Sequence, residues 1–255
     1  MNEHQKITID QFTRQAVPFS QSSGHSNEES LRLLMELAEL SSEDTVLDVA
    51  CGTGMVACAF AEIAKHVSGI DLTSAMLEQA KLLAQQRNLS NLSWFQGDIE
   101  SLPFDDQNFS VVVCRYAFHH FLNPGSVLTE MSRVCHPRGK IMIIDAILPP
   151  EKIDPYNRFE KMLDPSHNRA LTMEELRELL KNAGLKETKQ AFYKMEMDLE
   201  GQLAASFPNP GDEERIRQLL IADVGIDRLG IGAQIRGNKI HYAYPVTVIV
   251  AGKTS

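Results

Sequence analysis

Val46-Leu-Asp-Val-Ala-Cys-Gly-Thr-Gly54 is the stretch of this sequence that decides the fold. Four of its first five residues are apolar, which is typical of a strand buried in the middle of a sheet. Two glycines follow, and they allow the backbone to turn sharply and to come close to a ligand. A helical pattern of apolar residues begins directly after them. A strand, a glycine turn and a helix in this order predict a helix N-terminus that offers free N–H groups to a carboxylate or phosphate.

The alternation of strands and helices continues on both sides of this stretch. Apolar runs predict five strands, at 45–50, 66–71, 92–96, 109–114 and 140–147, with helical patterns between them. Such alternation indicates βαβ units, and therefore a parallel sheet covered by helices on both faces. Two further strands are predicted at 185–195 and 246–251. The fold class is therefore α/β, with a Rossmann-like, mostly parallel sheet of seven strands.

Some helix boundaries can be predicted from single residues. Ser26 and Glu29 have the spacing of a capping box, which marks the start of a helix. Another helical pattern begins at Pro124, and we expect Pro137 and Gly139 to end that helix before the fifth strand.

Composition argues against several functional classes. The chain has 25 Lys and Arg against 34 Asp and Glu, a formal net charge of −9, which disfavours binding to nucleic-acid phosphates. Its apolar runs are far shorter than the roughly 18 residues of a membrane helix, and its N-terminus lacks the pattern of a signal peptide. Four cysteines without a C-x-x-C pair indicate reduced thiols. We therefore expect a soluble, cytoplasmic protein without membrane insertion.

Carboxylates lie at three consecutive strand ends. Asp48 lies in the first strand, where it would repel a pyrophosphate but attract an ammonium or a sulfonium. Asp71 ends the second strand and can bind ribose hydroxyls, and Asp98 follows the third and can accept from an adenine amino group. S-adenosylmethionine carries an ammonium, a sulfonium, a ribose and an adenine, and it has no pyrophosphate. The run Gly52-Thr-Gly54-Met-Val-Ala57 also satisfies G-x-G-x-x-A, so a nicotinamide-dependent oxidoreductase is the alternative.

Several ordered motifs beyond the glycine loop carry a resemblance to a known family. They lie at residues 69–77, 97–104, 109–121 and 133–140. In this order they resemble the class I S-adenosylmethionine-dependent methyltransferases, and in particular the small-molecule group that includes the ubiquinone and menaquinone methyltransferases. The resemblance covers about residues 12–252. It implies methyl transfer with S-adenosylmethionine as cofactor, and a sheet whose last strand is antiparallel to the rest.

The resemblance also implies roles for individual residues. Asp48 and the glycine loop would hold the methionine end of the cofactor, Asp71 the ribose hydroxyls, and Asp98 the adenine edge. Leu72 and Met76 would pack against the adenine. The complete set of expected cofactor-binding residues is Asp48, Ala50, Cys51, Gly52, Gly54, Asp71, Leu72, Met76, Asp98, Ile99 and Arg115.

Methyl transfer from a sulfonium is an in-line displacement, so positioning and the exclusion of water can supply most of the acceleration. His119 and His120 follow the fourth strand, and we expect at most one of them to face the site. His120 is the candidate catalytic residue there, and His167, after the fifth strand, is the second. The alternative is that the paired histidines only pack against the following turn. The histidines lack H-x-x-x-H spacing, so no metal site is predicted.

A single domain, 1–255, is predicted because no repeat or flexible linker divides the chain. Within it, residues 1–40 would form an N-terminal helical lid and 41–150 the cofactor-binding half. Residues 151–255 would form the substrate-side half, with an insertion at 199–244 as a second lid.

The methyl acceptor is expected to be a small molecule, and its properties are suggested by the segments that would cover the strand ends. Aromatic residues there favour a partly apolar acceptor: Phe12, Phe19, Tyr156, Phe159, Phe207 and Tyr242. Residues 226–243 hold four basic residues, enough to neutralise an acidic group on a small substrate: Arg228, Arg236, Lys239 and His241. A protein that binds S-adenosylmethionine without catalysis is a further alternative.

Overall fold

The computed structural model describes residues 2–21 and 28–254, so that the expected helix start at Ser26 lies outside the described residues. The helices are α1 (Glu3–Gln21), α2 (Glu28–Ala38), α3 (Met55–Ala61), α4 (Ser74–Gln86), α5 (Pro124–Val134), α6 (Pro150–Leu163), α7 (Met173–Asn182), α8 (Leu199–Ser206) and α9 (Asp212–Asp223). The strands are β1 (Thr45–Val49), β2 (His66–Asp71), β3 (Leu92–Gln96), β4 (Phe109–Arg115), β5 (Cys135–Ala146), β6 (Leu185–Asp198), β7 (Gln234–Arg236) and β8 (Lys239–Lys253). A short 3₁₀ helix, Phe118–His120, follows β4.

The strands form one sheet in the order β3-β2-β1-β4-β5-β8-β6, and β7 pairs with β8. Pairing is parallel from β3 to β5, whereas β8 is antiparallel to both β5 and β6. The α/β fold with a mostly parallel sheet and an antiparallel last strand is therefore confirmed, with β7 as an eighth strand that the sequence did not predict. The strand order reverses between β1 and β4, which opens a crevice at their carboxyl ends.

Helices cover both faces of the sheet because neighbouring residues of a central strand belong to different apolar cores. Val46 of β1 lies in one core with Phe60 of α3, and Leu47 lies in the other with Leu128 of α5. All four side chains are completely buried. A strand that is buried on both faces needs no polar side, which explains the unbroken apolar runs from which these strands were predicted.

The predicted end of α5 is wrong. The helix ends at Val134, and Pro137 and Gly139 lie inside β5. The pairing of β5 with β4 shifts register in this section, so that Pro137, which has no N–H group, lies at a bulge. Gly139 is required there because a Cβ would come within 2.7 Å of the Ser110 carbonyl oxygen.

The last two long strands extend beyond their predicted ends. β6 continues to Asp198 and β8 begins at Lys239, so the expected insertion at 199–244 contains α8, α9, β7 and the first residues of β8. Tyr244, in the extended part of β8, pairs with Met195 of β6, and both residues line the cavity described below.

Candidate active site

A cavity lies in the crevice at the carboxyl ends of the central strands. All of the expected cofactor-binding residues line it except Gly54. It also extends to residues that the sequence did not single out, from β5, α6 and β8. Two compartments can therefore be described, one around the glycine loop and one around His119 and His120.

The glycine loop turns through three residues with left-handed backbone angles. Ala50, Gly52 and Gly54 have φ values of 54°, 52° and 78°. The Gly54 N–H donates to the Cys51 carbonyl oxygen at 2.9 Å and closes the turn before α3. A Cβ on Gly54 would lie 2.8 Å from the Cβ of Ala80, whereas a Cβ on Gly52 would meet nothing within 4 Å. Gly52 therefore faces the open cavity, and Gly54 faces the protein.

Replacing these two glycines with alanine should have different effects: Gly54→Ala should mainly lower stability, and Gly52→Ala should mainly weaken ligand binding. We expect Gly54→Ala to lower the free energy of unfolding by about 2–5 kcal/mol, because backbone strain and a steric clash add together. We expect Gly52→Ala to cost about 1–2 kcal/mol of backbone strain, and to weaken the binding of S-adenosylhomocysteine at least about tenfold because its Cβ enters the cavity. Urea denaturation and calorimetry would measure the two effects. The opposite ranking of the variants would contradict this interpretation.

Asp71 supports the glycine loop from the end of β2. Its Oδ2 accepts a hydrogen bond from the Gly52 N–H at 2.8 Å, and its Oδ1 accepts one from the Thr73 N–H at 2.8 Å. The side chain is buried yet lines the cavity. Because each carboxylate oxygen has two lone pairs, both oxygens can still accept from a ribose hydroxyl.

The residues expected around the adenine lie next to Asp71 on the cavity wall. Leu72, Met76 and Ile99 all line the cavity. Asp98 is exposed, and its Oδ2 accepts a hydrogen bond from Nε2 of Gln5 in α1 at 2.9 Å. An adenine amino group that binds Asp98 must therefore share this carboxylate with Gln5 or replace it.

Asp48 is a buried charge beneath the glycine loop. It is 2% exposed, and its Oδ2 accepts from the Ala57 N–H in the first turn of α3 at 3.0 Å. Burial raises the pKa of this carboxyl to about 7, and the Ala57 hydrogen bond and the charge of Arg115 only partly oppose the rise. Arg115 also lines the cavity, and its guanidinium lies 4.4 Å from the centre of the Tyr116 ring. Asp48 can therefore attract the ammonium group of an amino acid, and Arg115 can attract its carboxylate.

The raised pKa of Asp48 predicts a pH-dependent affinity for the cofactor. Below pH 7 the carboxyl is mostly protonated, and a bound ammonium group must displace that proton. The affinity for S-adenosylhomocysteine should therefore rise from pH 5.5 to 7, by at most about tenfold per pH unit, and level off above. Calorimetry across this range would test it. Asp48→Asn keeps the acceptor for Ala57 and should flatten the profile; an equally steep profile in that variant would exclude Asp48 as the cause.

The second compartment, which we call the histidine chamber, continues from the end of β4 beneath α6 and β8. It is lined by His119, His120, Asp145, Tyr156, Glu160, Asp164 and Tyr244. Phe12 and Phe19 of α1 line the same cavity, whereas the other aromatic residues expected there, Phe159, Phe207 and Tyr242, do not. The chamber thus combines aromatic walls with several titratable groups.

His119 forms a close pair with Asp145 of β5. Its Nδ1 lies 2.7 Å from Oδ1 of Asp145, and its backbone N–H donates to Oδ2 at 3.2 Å. Burial lowers the pKa of His119, but the charge and the hydrogen bond of Asp145 outweigh this and raise it above its usual value. Because Asp145 occupies Nδ1, Nε2 is the nitrogen that is left for a substrate. Asp145 was not predicted from the sequence as a site residue.

The expectation that at most one of the paired histidines faces the site is wrong. Both line the cavity because the backbone there is a 3₁₀ helix, and their ring centres lie 4.2 Å apart. His120 Nδ1 lies 3.1 Å from the Ser166 carbonyl oxygen. Burial, together with the neighbouring His119, lowers the pKa of His120 to about 4, so it is a neutral ring at physiological pH.

His167, which was predicted as a second catalytic residue, does not line the cavity. It is 1% exposed. Its Nε2 bonds to Oδ1 of Asn157 at 2.9 Å, an oxygen that also accepts from the Ala170 N–H. His167 therefore connects α6 to the loop after it and lies behind the chamber wall.

The basic residues that could neutralise an acidic group on the substrate lie outside the cavity lining. These four residues are Arg228, Arg236, Lys239 and His241. Arg236 pairs with Glu196 at 3.3 Å and Lys239 with Asp198 at 3.2 Å, both at exposed positions of the extended β6–β8 section. Their charges balance acidic residues of the neighbouring strand.

Helix α1 covers the cavity through buried polar contacts. Gln15 Nε2 donates to Oδ2 of Asp164 and to the Ser206 carbonyl oxygen, each at 3.1 Å, and Gln11 also donates to that carbonyl. His4 Nε2 donates to the His120 carbonyl oxygen at 2.7 Å. Both glutamines are completely buried, which fixes α1 against α6 and α8.

Three further features concern the described residues as a whole. Within residues 2–21 and 28–254, no helix is long and apolar enough to cross a membrane. The same residues contain no cluster of three or more His, Cys, Asp or Glu side chains arranged to hold a metal ion. All four cysteines are free and buried.

Known proteins resemble this chain in sequence and structure. Residues 47–143 match the family model described as a methyltransferase domain. The uncharacterised methyltransferase YcgJ of Bacillus subtilis is 33% identical over 166 residues, which cover 64% of this chain and 66% of YcgJ. The demethylmenaquinone methyltransferase of Thermotoga maritima is 34% identical over 46% of this chain and 49% of that protein.

The similarity in structure extends further along the chain. The crystal structure of YcgJ superposes with a TM-score of 0.83 at 26% identity, and covers 90% of this chain and 100% of that one. In sequence, the chain spans about two-thirds of YcgJ and about half of the demethylmenaquinone methyltransferase. Together with the glycine loop and the strand-end carboxylates, these matches show that the chain carries a methyltransferase domain of the class I family, whose methyl donor is S-adenosylmethionine.

Proposed function

We propose that this protein transfers the methyl group of S-adenosylmethionine to a small molecule held in the histidine chamber. The observation that carries the proposal is that one cavity joins the glycine loop and Asp71 to the His119–Asp145 pair. A cofactor on the loop side would point its reactive end towards an acceptor on the histidine side. The demethylmenaquinone and ubiquinone methyltransferases among the relatives act on small molecules, which supports the same class of acceptor.

The residues around the loop fit the cofactor. Gly52 leaves the open space that a ligand needs for close approach to the backbone, and Asp71 offers carboxylate oxygens for ribose hydroxyls. Asp48 and Arg115 offer charges opposite to those of the methionine ammonium and carboxylate. Asp48, buried beneath the glycine loop, would repel the pyrophosphate of a dinucleotide, which argues against the nicotinamide alternative.

The protein itself would position the acceptor, exclude water from the site and supply a general base. When bound, S-adenosylmethionine supplies a methyl group on a positively charged sulfur. Phe12, Tyr156 and Tyr244 hold the acceptor and exclude water, which favours an in-line displacement. His119 accepts the acceptor's proton at Nε2, while Asp145 holds the ring and stabilises its charged form.

Methyl transfer can be tested directly with labelled cofactor. The protein would be incubated with methyl-labelled S-adenosylmethionine and a panel of small aromatic amines, alcohols, phenols and acids. We expect a labelled small-molecule product that forms in proportion to enzyme concentration. Tight cofactor binding without any labelled product across the panel would instead favour a binding protein without catalysis. Absence of cofactor binding would contradict the proposal altogether.

A further inference from the structure

The histidine chamber is rich in carboxylates. Asp145, Glu160 and Asp164 all line the cavity, and the described residues of the chamber include no lysine or arginine. Arg115 lines the cavity wall and lowers the pKa of Asp48, whereas the charges that influence the pKa of Glu160 come from His119, Asp145 and Asp164. Burial raises the pKa of Glu160 to about 7, and Asp145 raises the pKa of His119. With Glu160 ionised, three carboxylates face one imidazolium, so the chamber carries a surplus of negative charge.

Two of these three carboxylates each accept several hydrogen bonds from the protein. Asp145 accepts from the side chain and the backbone of His119. Asp164 accepts from the Ser166 N–H at 2.7 Å, from the Ser166 hydroxyl at 2.5 Å and from Gln15 Nε2 at 3.1 Å. Both groups are explained by the architecture of the chamber, and neither requires a ligand.

Glu160 is engaged less fully, because its side chain has a hydrogen bond with Tyr244 but one of its two oxygens has no partner in the described part of the chain. It projects from α6 into the cavity wall and is only 7% exposed. Its Oε1 has no hydrogen-bond partner among the described residues. A buried carboxylate oxygen without a donor is costly, and a ligand that supplies a donor and a positive charge removes that cost.

We propose that the methyl acceptor carries a positively charged amino group that binds Glu160. This inference rests on the proposed function, since it assigns the substrate class of the same cavity. An anionic acceptor would add to the negative charge of the chamber, and a neutral hydroxyl would satisfy Oε1 without balancing its charge. The aromatic side chains of Phe12, Tyr156 and Tyr244 favour an aryl or similarly apolar body next to the amine.

Three probes with the same carbon skeleton separate these possibilities: phenethylamine, 2-phenylethanol and phenylacetate. Each would be titrated by calorimetry into the full-length protein saturated with S-adenosylhomocysteine. We expect the amine to bind at least about tenfold more tightly than the alcohol, and the acid to bind most weakly. Equal affinities, or no binding of the amine at about 10 mM, would overturn the inference.

Two variants of α6 test whether Glu160 causes the preference for the amine over the alcohol. Glu160→Gln keeps the size of the residue and removes its charge, and should reduce the amine preference at least about tenfold. Glu151→Gln, at an exposed position of the same helix, should retain it. An unchanged preference in Glu160→Gln would overturn the assignment. Failure of S-adenosylhomocysteine to bind removes the proposed function and this inference together, whereas cofactor binding without amine preference overturns this inference alone.

Discussion

Replacing Asp71 with alanine should abolish binding of S-adenosylmethionine at micromolar concentrations. The substitution removes the acceptor for the ribose hydroxyls and also the anchor of the Gly52 N–H. Hydrogen bonds to a charged group contribute about 1.5–3 kcal/mol each. The loss of the two expected bonds to the ribose hydroxyls therefore predicts an affinity at least about 150-fold lower. Calorimetric titration with S-adenosylhomocysteine would measure it.

Two further variants make this result specific to the carboxylate of Asp71. Asp71→Asn keeps one acceptor oxygen and should bind with intermediate affinity. Asp105→Ala removes an exposed aspartate outside the cavity and should bind as the wild type does. Thermal denaturation would establish that each variant is folded. Wild-type affinity in a folded Asp71→Ala protein would contradict the ribose assignment.

Replacing His119 with alanine should lower the turnover number by about 10²–10⁴-fold, the usual contribution of a general base. The affinity for S-adenosylhomocysteine should change little, because His119 lies on the acceptor side of the cavity. The rate would be measured with labelled cofactor and an acceptor from the panel. His136→Ala, at an exposed position, is the matched control.

The pH profile distinguishes a base from a merely structural histidine. The rate should rise with pH as His119 loses its proton, and Asp145 holds the pKa of His119 above its usual value. Asp145→Asn removes that charge, so the rising limb of the profile should move to lower pH while the maximal rate falls. A full rate in His119→Ala, or an unshifted limb in Asp145→Asn, would exclude the pair from proton transfer.

The cavity lining around the glycine loop was largely predictable because its signals are local in sequence. The glycine loop, Asp48 and Asp71 each lie at the end of a strand that its apolar run identifies. Parallel strands bring their carboxyl ends to one edge, so residues from different strands converge without further information. Gly54 was assigned to the ligand because the motif does not distinguish a glycine required by the ligand from one required by Ala80.

The acceptor half was not predictable in the same way. The His119–Asp145 pair joins the ends of two adjacent strands, and the carboxylate at the end of the fifth strand was a signal that could have found it. Glu160 lies within an ordinary amphipathic helix, where its burial depends on the packing of α6. Proximity in sequence to the strand ends does not determine which side chains enter the cavity, and His167 and the basic residues of 228–241 lie outside its lining.

A crystal structure with bound S-adenosylhomocysteine would test the central claim most directly. We expect the ribose hydroxyls at Asp71 and the adenine beside Leu72 and Ile99. The sulfur should point into a vacant histidine chamber between His119 and Glu160. A sulfur that points away from this chamber, or a cofactor that fills it, would contradict the account.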